Sequence, residues 1–189
     1  MKRTIITSIL YTVITAVLLG IAYPLAMTGI AQTFFRDKAN GQLIVKDGQV
    51  IGSHIIGQSF TGAEYFHSRP SAAGTGYDAS ASSASNLGPT NKALIDRITA
   101  STATEQGVGN VPVDLVTASG SGLDPDITPD AAFYQIARIS HERQIPAAIL
   151  TNLVKEHIQK RQFGLLGEPR VNVLELNLAL NQLTGKKGS

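Results

Sequence analysis

Cysteine is absent from all 189 residues. Disulfides, thiolate metal sites and thiol nucleophiles are therefore excluded, while the compartment stays open because many exported domains have no disulfide. Charge is missing from one long stretch, since Thr4 to Phe35 contains no charged residue. All 14 acidic residues, and 14 of the 16 lysines and arginines, lie beyond residue 35. The rest of the chain is thus formally neutral, and the overall +2 comes from Lys2 and Arg3. Nucleic acid, which needs clustered positive charge, is not a partner that this composition suits.

What is present first is the apolar run itself. A bilayer's hydrocarbon core, about 30 Å thick, needs about 20 helical residues, and residues 4–35 exceed that. The run reads as one transmembrane helix, because a helix satisfies its own backbone groups in hydrocarbon. A cleaved signal peptide is the rival, with Gly29, Ile30 and Ala31 as a small-residue cleavage site. Its apolar region would be only about 7–15 residues long, so an uncleaved anchor is expected. Lys2 and Arg3 favour a cytoplasmic N-terminus, opposed weakly by Arg36 and Lys38. Residues 1–3 are then a cytoplasmic tail, 4–35 the span and 36–189 a single exported domain. Pro24 removes the donor for the Gly20 carbonyl, so a kink is expected there. Thr12, Thr15, Ala16, Gly20 and Ala22 are the small and hydroxyl residues that helix-packing faces use.

The exported part reads as α+β. Residues 42–51 form a hairpin signal turned by Asp47-Gly48, which suit positive φ angles. Residues 53–60 extend its second strand or add a third, with Gly52 and Gly57 at bends. From Ser71 to Asn91 the only charge is Asp78, and no period survives. A structureless stretch of that length is functional or disordered; the turn chemistry of Tyr77-Asp78 and Asn86–Asn91 points to an ordered binding loop. Leu94, Ile95 and Ile98 predict a short helix within 90–104, broken at Gly107–Asn110. Residues 111–117 fit a short helix from Pro112 or a strand, and 118–128 form a second Gly/Ser loop. Thr128 caps a helix with Pro129 at its first position and Asp130 in its first turn. Phe133, Ile136, Ala137 and Ser140 are its expected inner face. A further helix after Pro146 carries Ile149, Leu150, Leu153, Val154, His157 and Ile158 at helical spacing. Gly164 and Gly167–Pro169 turn the chain. Val171–Leu183 alternates like a strand, yet Asn172 and Glu175 make a cap pattern, and a buried helix is expected. The closing residues 184–189 read as a frayed tail.

Chemistry is thinly represented. His141 and His157 sit on predicted helices without a carboxylate at metal-ligand spacing, and His54 lies in a strand region; a structural role is expected of all three. His67, beside Arg69 and a serine-rich loop, is the best candidate base, and a membrane-tethered hydrolase using His67 with a loop serine is the alternative function. It lacks a nucleophile-elbow sequence. Asp124, Asp126 and Asp130 lack the spacing of a calcium loop, and Gly120-Ser121-Gly122 lacks the lysine of a phosphate loop. No catalytic, metal or cofactor residue is assigned.

The residues Tyr23-Pro24-Leu25, Ile56–Phe60, Tyr65–Ala72, Ser85–Leu87, Val111–Asp124, Ile127–Pro129, Gly167–Val173 and Glu175–Leu180 stand in one order along nearly the whole chain. In them the sequence resembles the C chain of the Kdp-type potassium-transporting ATPase of bacteria. It departs at Asp126, where many members carry histidine, so no role for an imidazole there transfers. The resemblance implies a single-span inner-membrane accessory subunit of a high-affinity potassium pump, without activity of its own. Its implied partners are a channel-like potassium-binding chain, a P-type ATP-hydrolysing chain and a small single-span chain. The family's C chain is described as a catalytic chaperone that raises ATP affinity, and also as sitting on the outer face near the ion entrance. A domain outside the membrane cannot touch cytoplasmic ATP, so the effect would be allosteric. ATP and potassium would be handled by the complex. With Pro24 in the span, the implied partner-contact candidates are Tyr65, His67, Arg69, Pro70, Asn86, Ser119, Ser121 and Asp124.

Overall fold

A computed structural model describes residues 1–105, 109–183 and 185. The expected break at Gly107 and Val108 and most of the tail fall outside them. The chain divides into two compact units, Met1–Ile44 and Val45–Ser189.

In the first unit, Lys2–Phe34 is one helix long and apolar enough to cross a membrane, with none of its scored stretch buried. It consists of α1 (Lys2–Val17), a π turn (Leu18–Ala22) and α2 (Tyr23–Phe34). The irregularity expected at Pro24 is therefore a π turn just before it. There the Tyr23 N–H bonds the Leu18 carbonyl. A wider turn relieves the clash between a proline ring and the carbonyl four residues earlier. The short α3 (Arg36–Ala39) follows.

β1 (Leu43–Lys46) and β2 (Gln49–Ser53) pair as the expected hairpin. Asp47 and Gly48 take φ of +51° and +78°, the signs a type I′ turn requires. Residues 53–60 add no third strand. They make a tight turn in which Ser53 bridges Ile56. Gly57 approaches so closely that a Cβ there would lie 2.5 Å from the Asp124 carbonyl oxygen.

The second unit is mixed α+β. Its helices are α4 (Lys92–Thr104), α5 (Pro129–Arg143), α6 (Ala147–Glu156) and α7 (Val173–Leu183). Residues 113–115, left open between helix and strand, form one 3-10 turn. β3 (Asp126–Ile127), β4 (Ile158–Gln159) and β5 (Arg170–Asn172) form an antiparallel sheet in the order β3-β5-β4. Val171 in the central strand faces Ile127 on one side and Ile158 on the other. The core joins Ile136 and Ile139 of α5, Leu150 and Val154 of α6, and Leu176 and Leu180 of α7 to Phe66, Leu115, Ile127 and Val171.

The helix ends follow local chemistry. Asn91 caps α4 by accepting from the Ala93 N–H, and Thr128 caps α5 by accepting from Ala131. At α5 the inner face is turned from expectation: Ala131, Ala132, Gln135, Ile136 and Ile139 are buried, whereas Ala137 is exposed. Apolar pattern alone misplaces it because the polar Gln135 faces inward. α6 ends at Glu156, so His157 is its cap and Ile158 already belongs to β4, while Ile149 is exposed. The last element is strand, then helix. Asn172 completes β5 and caps α7, its side-chain carbonyl accepting from Glu175 N–H at 3.1 Å.

Because Leu176 is fully buried, Leu176→Ala should destabilise the fold by about 2–5 kcal/mol. Ile149→Ala, on the exposed side of α6, should cost well under half of that. Thermal unfolding of the full chain in detergent, followed by near-UV circular dichroism, compares the two. Equal losses would contradict this core.

Candidate functional site

Two amide side chains on the buried faces of α5 and α7 seize the segment before the long loop. Asn177 accepts from the Phe66 N–H and donates to the Phe66 carbonyl, both at 2.9 Å. Gln135 does the same one residue later, accepting from His67 N–H at 2.7 Å and donating to its carbonyl at 3.2 Å. Each amide thus mimics one rung of a strand ladder. Two arginines of α5 hold the preceding carbonyls: Arg138 donates to Ala63 and Tyr65, and Arg143 to Glu64. Arg143 also lies over the Tyr65 ring at 4.7 Å.

From this clamp the chain reaches Arg69, where three loops meet. Its guanidinium stands 3.4 Å from Asp124 and 3.7 Å from Asp114, and donates to the carbonyl and hydroxyl of Thr117. The Tyr77 hydroxyl donates to the Arg69 carbonyl. Ser71 donates to the Gly122 carbonyl at 2.6 Å and accepts from the backbone N–H groups of Ala73 and Tyr77. Ser82 and the Ser83 N–H both donate to the Ser121 carbonyl. Gly122 has φ of +67°, and a Cβ there would lie 2.5 Å from the Ser83 carbonyl, so this crossing requires glycine. The tract from Ser71 is ordered by hydrogen bonds rather than by secondary structure.

The electrostatics follow from burial. Burial pushes the Tyr77 phenol above its usual range. Asp126 pairs with Arg170 at 2.9 Å, yet burial outweighs that partner and raises its carboxyl, helped by Asp124 and Glu175. The Asp78 carboxyl is lowered by the hydrogen bonds it accepts from Ser80. A cleft of about 240 Å³ opens beside Arg69, Asp114, Asp124, Asp126 and Arg170. A second, of about 370 Å³, is lined by Phe60, Tyr65, Leu174, Leu178 and Lys46.

Of the residues expected to act together, Arg69, Ser119, Ser121 and Asp124 do converge. Ser119 and Ser121 accept from the N–H groups of Gly122 and Leu123, which shapes their own loop. Half-buried Pro70 continues the clamped segment. Tyr65 packs on Phe60 with ring centroids 5.6 Å apart. The His67 ring faces the Gly62 carbonyl at 3.1 Å and Glu105 at 3.7 Å; among the described residues its ring has no serine partner. Asn86 is exposed at φ of +51°, and among the described residues it makes no bond into the cluster. Pro24 lies in the other unit. Asp124 and Asp126 face arginines, and among the described residues no three histidines or carboxylates group as metal ligands. His54 bonds Glu175 at 2.5 Å.

Sequence reasoning missed Asp114, Thr117, Gln135 and Asn177. The last two carry a readable signal, an amide set into a mainly apolar helix face, joined on α7 by the buried Asn181. The ion pair to Asp114 spans 45 positions of irregular chain and has none.

The family described as "K+-transporting ATPase, c chain" matches residues 5–182. The chain belongs to this family. It is 62% identical over 178 residues to the potassium-transporting ATPase KdpC subunit of Acidobacterium capsulatum, covering 94% of this chain and 97% of that one. Against the KdpC subunit of Koribacter versatilis the identity is 58%, covering 96% and 95%. Against that of Rhodospirillum rubrum it is 53%, covering 96% and 97%. As a c chain, this protein takes part in potassium transport as an ATPase subunit.

The raised Asp126 carboxyl gives a pH signature. An acid raised in the folded state weakens the fold above its folded pKa, and the cost disappears as pH falls below the ordinary 3.8. Asp126→Asn should therefore melt higher than the parent at pH 7, with the difference shrinking towards pH 4. Loss of the half-exposed Arg170 pair offsets little of this. An equal or lower melting temperature at pH 7 would contradict the assignment.

Proposed function

We propose that this c chain is a non-catalytic accessory subunit of an ATP-driven potassium uptake complex in the bacterial inner membrane. Residues 1–3 stay in the cytoplasm, 4–35 cross the membrane and 36–189 form the domain outside. Its partners are the channel-like potassium-binding chain, the P-type ATP-hydrolysing chain and the small single-span chain. ATP and potassium are bound by those partners. As a catalytic chaperone, the c chain raises ATP affinity from across the membrane, through a coupling free energy between sites rather than by touching nucleotide.

The observation that carries this reading is the convergence of loops 65–72, 77–83 and 117–124 on Arg69. A surface of irregular chain so heavily cross-bonded is already ordered before a partner arrives, which lowers the entropic cost of binding. The hydrolase reading is weaker, because the His67 ring is engaged by a carbonyl and a carboxylate. Tyr65, His67, Pro70, Asn86, Ser119 and Ser121 are assigned to partner contact with Arg69 and Asp124, and Pro24 to packing among membrane helices.

Gly120 separates assembly from folding. It is exposed, has ordinary φ, and a Cβ there meets nothing within 4 Å. Gly120→Trp should leave the melting temperature of the isolated chain unchanged. It should lower the yield of co-purified complex, and growth at low potassium, by about tenfold, equivalent to about 1.4 kcal/mol of contact energy. Normal yield and growth would remove the contact surface from this loop. A chain lacking residues 1–35 that still restored uptake fully would remove the anchor.

A further inference from the structure

The loop between β4 and β5 ends in a tip that the core does not explain. Phe163 is 91% exposed, Leu165 80% and Leu166 59%. A soluble surface scatters single apolar residues, whereas three bulky ones within four positions mark a contact. The tip is built to project. Gln162 and Leu166 exchange both backbone hydrogen bonds at 2.9 Å, Phe163 and Gly164 take φ of +53° and +74°, and Arg161 pairs with Glu168 across the base.

Its chemistry favours hydrocarbon over a protein pocket. The three side chains carry no polar atom, and the backbone groups that close the turn are engaged with each other, the condition that an apolar medium imposes. Lys160 stands at the base, where a long cationic side chain reaches lipid phosphates while its stem stays apolar. Proximity adds to this. Only residues 35–42 separate Phe34, the end of the apolar helix, from Leu43, the first residue of β1. At about 3.3–3.6 Å per extended residue, that linker reaches less than about 30 Å. A tether so short raises the effective concentration of the surface, so even weak insertion becomes populated.

We propose that Phe163, Leu165 and Leu166 form a second membrane contact, inserting into the interfacial layer of the bilayer that the apolar helix crosses. The proposal rests on the reading of that helix as an uncleaved span.

The absence of cysteine permits a clean test. Leu165→Cys and, separately, Leu19→Cys are labelled with an environment-sensitive fluorophore in the full chain. Each is reconstituted alone, and within the assembled complex, into phosphatidylethanolamine–phosphatidylglycerol vesicles carrying lipids labelled with nitroxide at either a shallow or a deep position, the shallow one to reach position 165 and the deep one to reach position 19. Leu165 is exposed enough that its replacement leaves the fold intact, which circular dichroism confirms. The label at position 19 reports on the anchor, and its loss of emission verifies the span. The expected result is blue-shifted emission at position 165, quenched by the nitroxide lipids in both preparations and protected from aqueous iodide. Unshifted emission open to iodide overturns the proposal while leaving the anchor standing. A blue shift without lipid quenching shows a tip buried against protein and overturns it equally. If position 19 in the chain reconstituted alone also escapes the deep nitroxides, the anchor fails and the proposal falls with it.

Discussion

The double amide clamp on residues 66 and 67 is the constraint from which the rest of the second unit follows. Phe66 is completely buried between helices, so its backbone groups have no access to water. Leaving one such group without a partner costs about 1–3 kcal/mol. Asn177 on α7 partners both Phe66 groups, and Gln135 on α5 does the same for the following His67. An extended segment can therefore run through the interior without a neighbouring strand. It leaves the core at Arg69 with fixed direction, and Arg69 is then placed to collect Asp114, Asp124 and Thr117.

This arrangement accounts for a domain with so much irregular chain. The sheets are small, and β3, β4 and β5 supply only two or three residues each. Order in residues 71–83 and 117–124 comes from serine hydroxyls, a tyrosine hydroxyl and one arginine, of which Arg69, Ser71 and Ser82 bond backbone of a loop distant in sequence. Loops positioned by a rigid helical scaffold are where proteins place recognition. The proposed role as a docking subunit needs a surface of this kind, ordered in advance.

What was legible in the sequence was whatever local chemistry dictates. The apolar run, the Asp47-Gly48 turn and the Thr128-Pro129 helix start follow from rules that act within a few residues. α7 was readable because Asn172 caps it, although the same residue also ends a strand whose partners lie 11–13 and 44–46 positions away. The inner face of α5 was misread because a buried glutamine breaks the apolar pattern; its bonds to His67 overcame the preference for Ala137. The candidate residues Arg69 and Asp124 were seen through family resemblance, whereas Asp114 is tied to them only by the folded path. Pro24 announced a disturbance in the span, but the π turn that absorbs it depends on hydrogen bonds of the preceding turn.

The central claim is that the loop face organised by Arg69 is the surface that meets the partner chains. Amide hydrogen exchange, compared between the full-length chain alone in detergent and the same chain within the assembled transport complex, tests it most directly. Slower exchange in the complex within residues 68–83 and 117–124, with the α5 and α7 core unchanged, is the predicted result. Unchanged exchange in those loops, with new protection confined to other surfaces of the second unit, would contradict it.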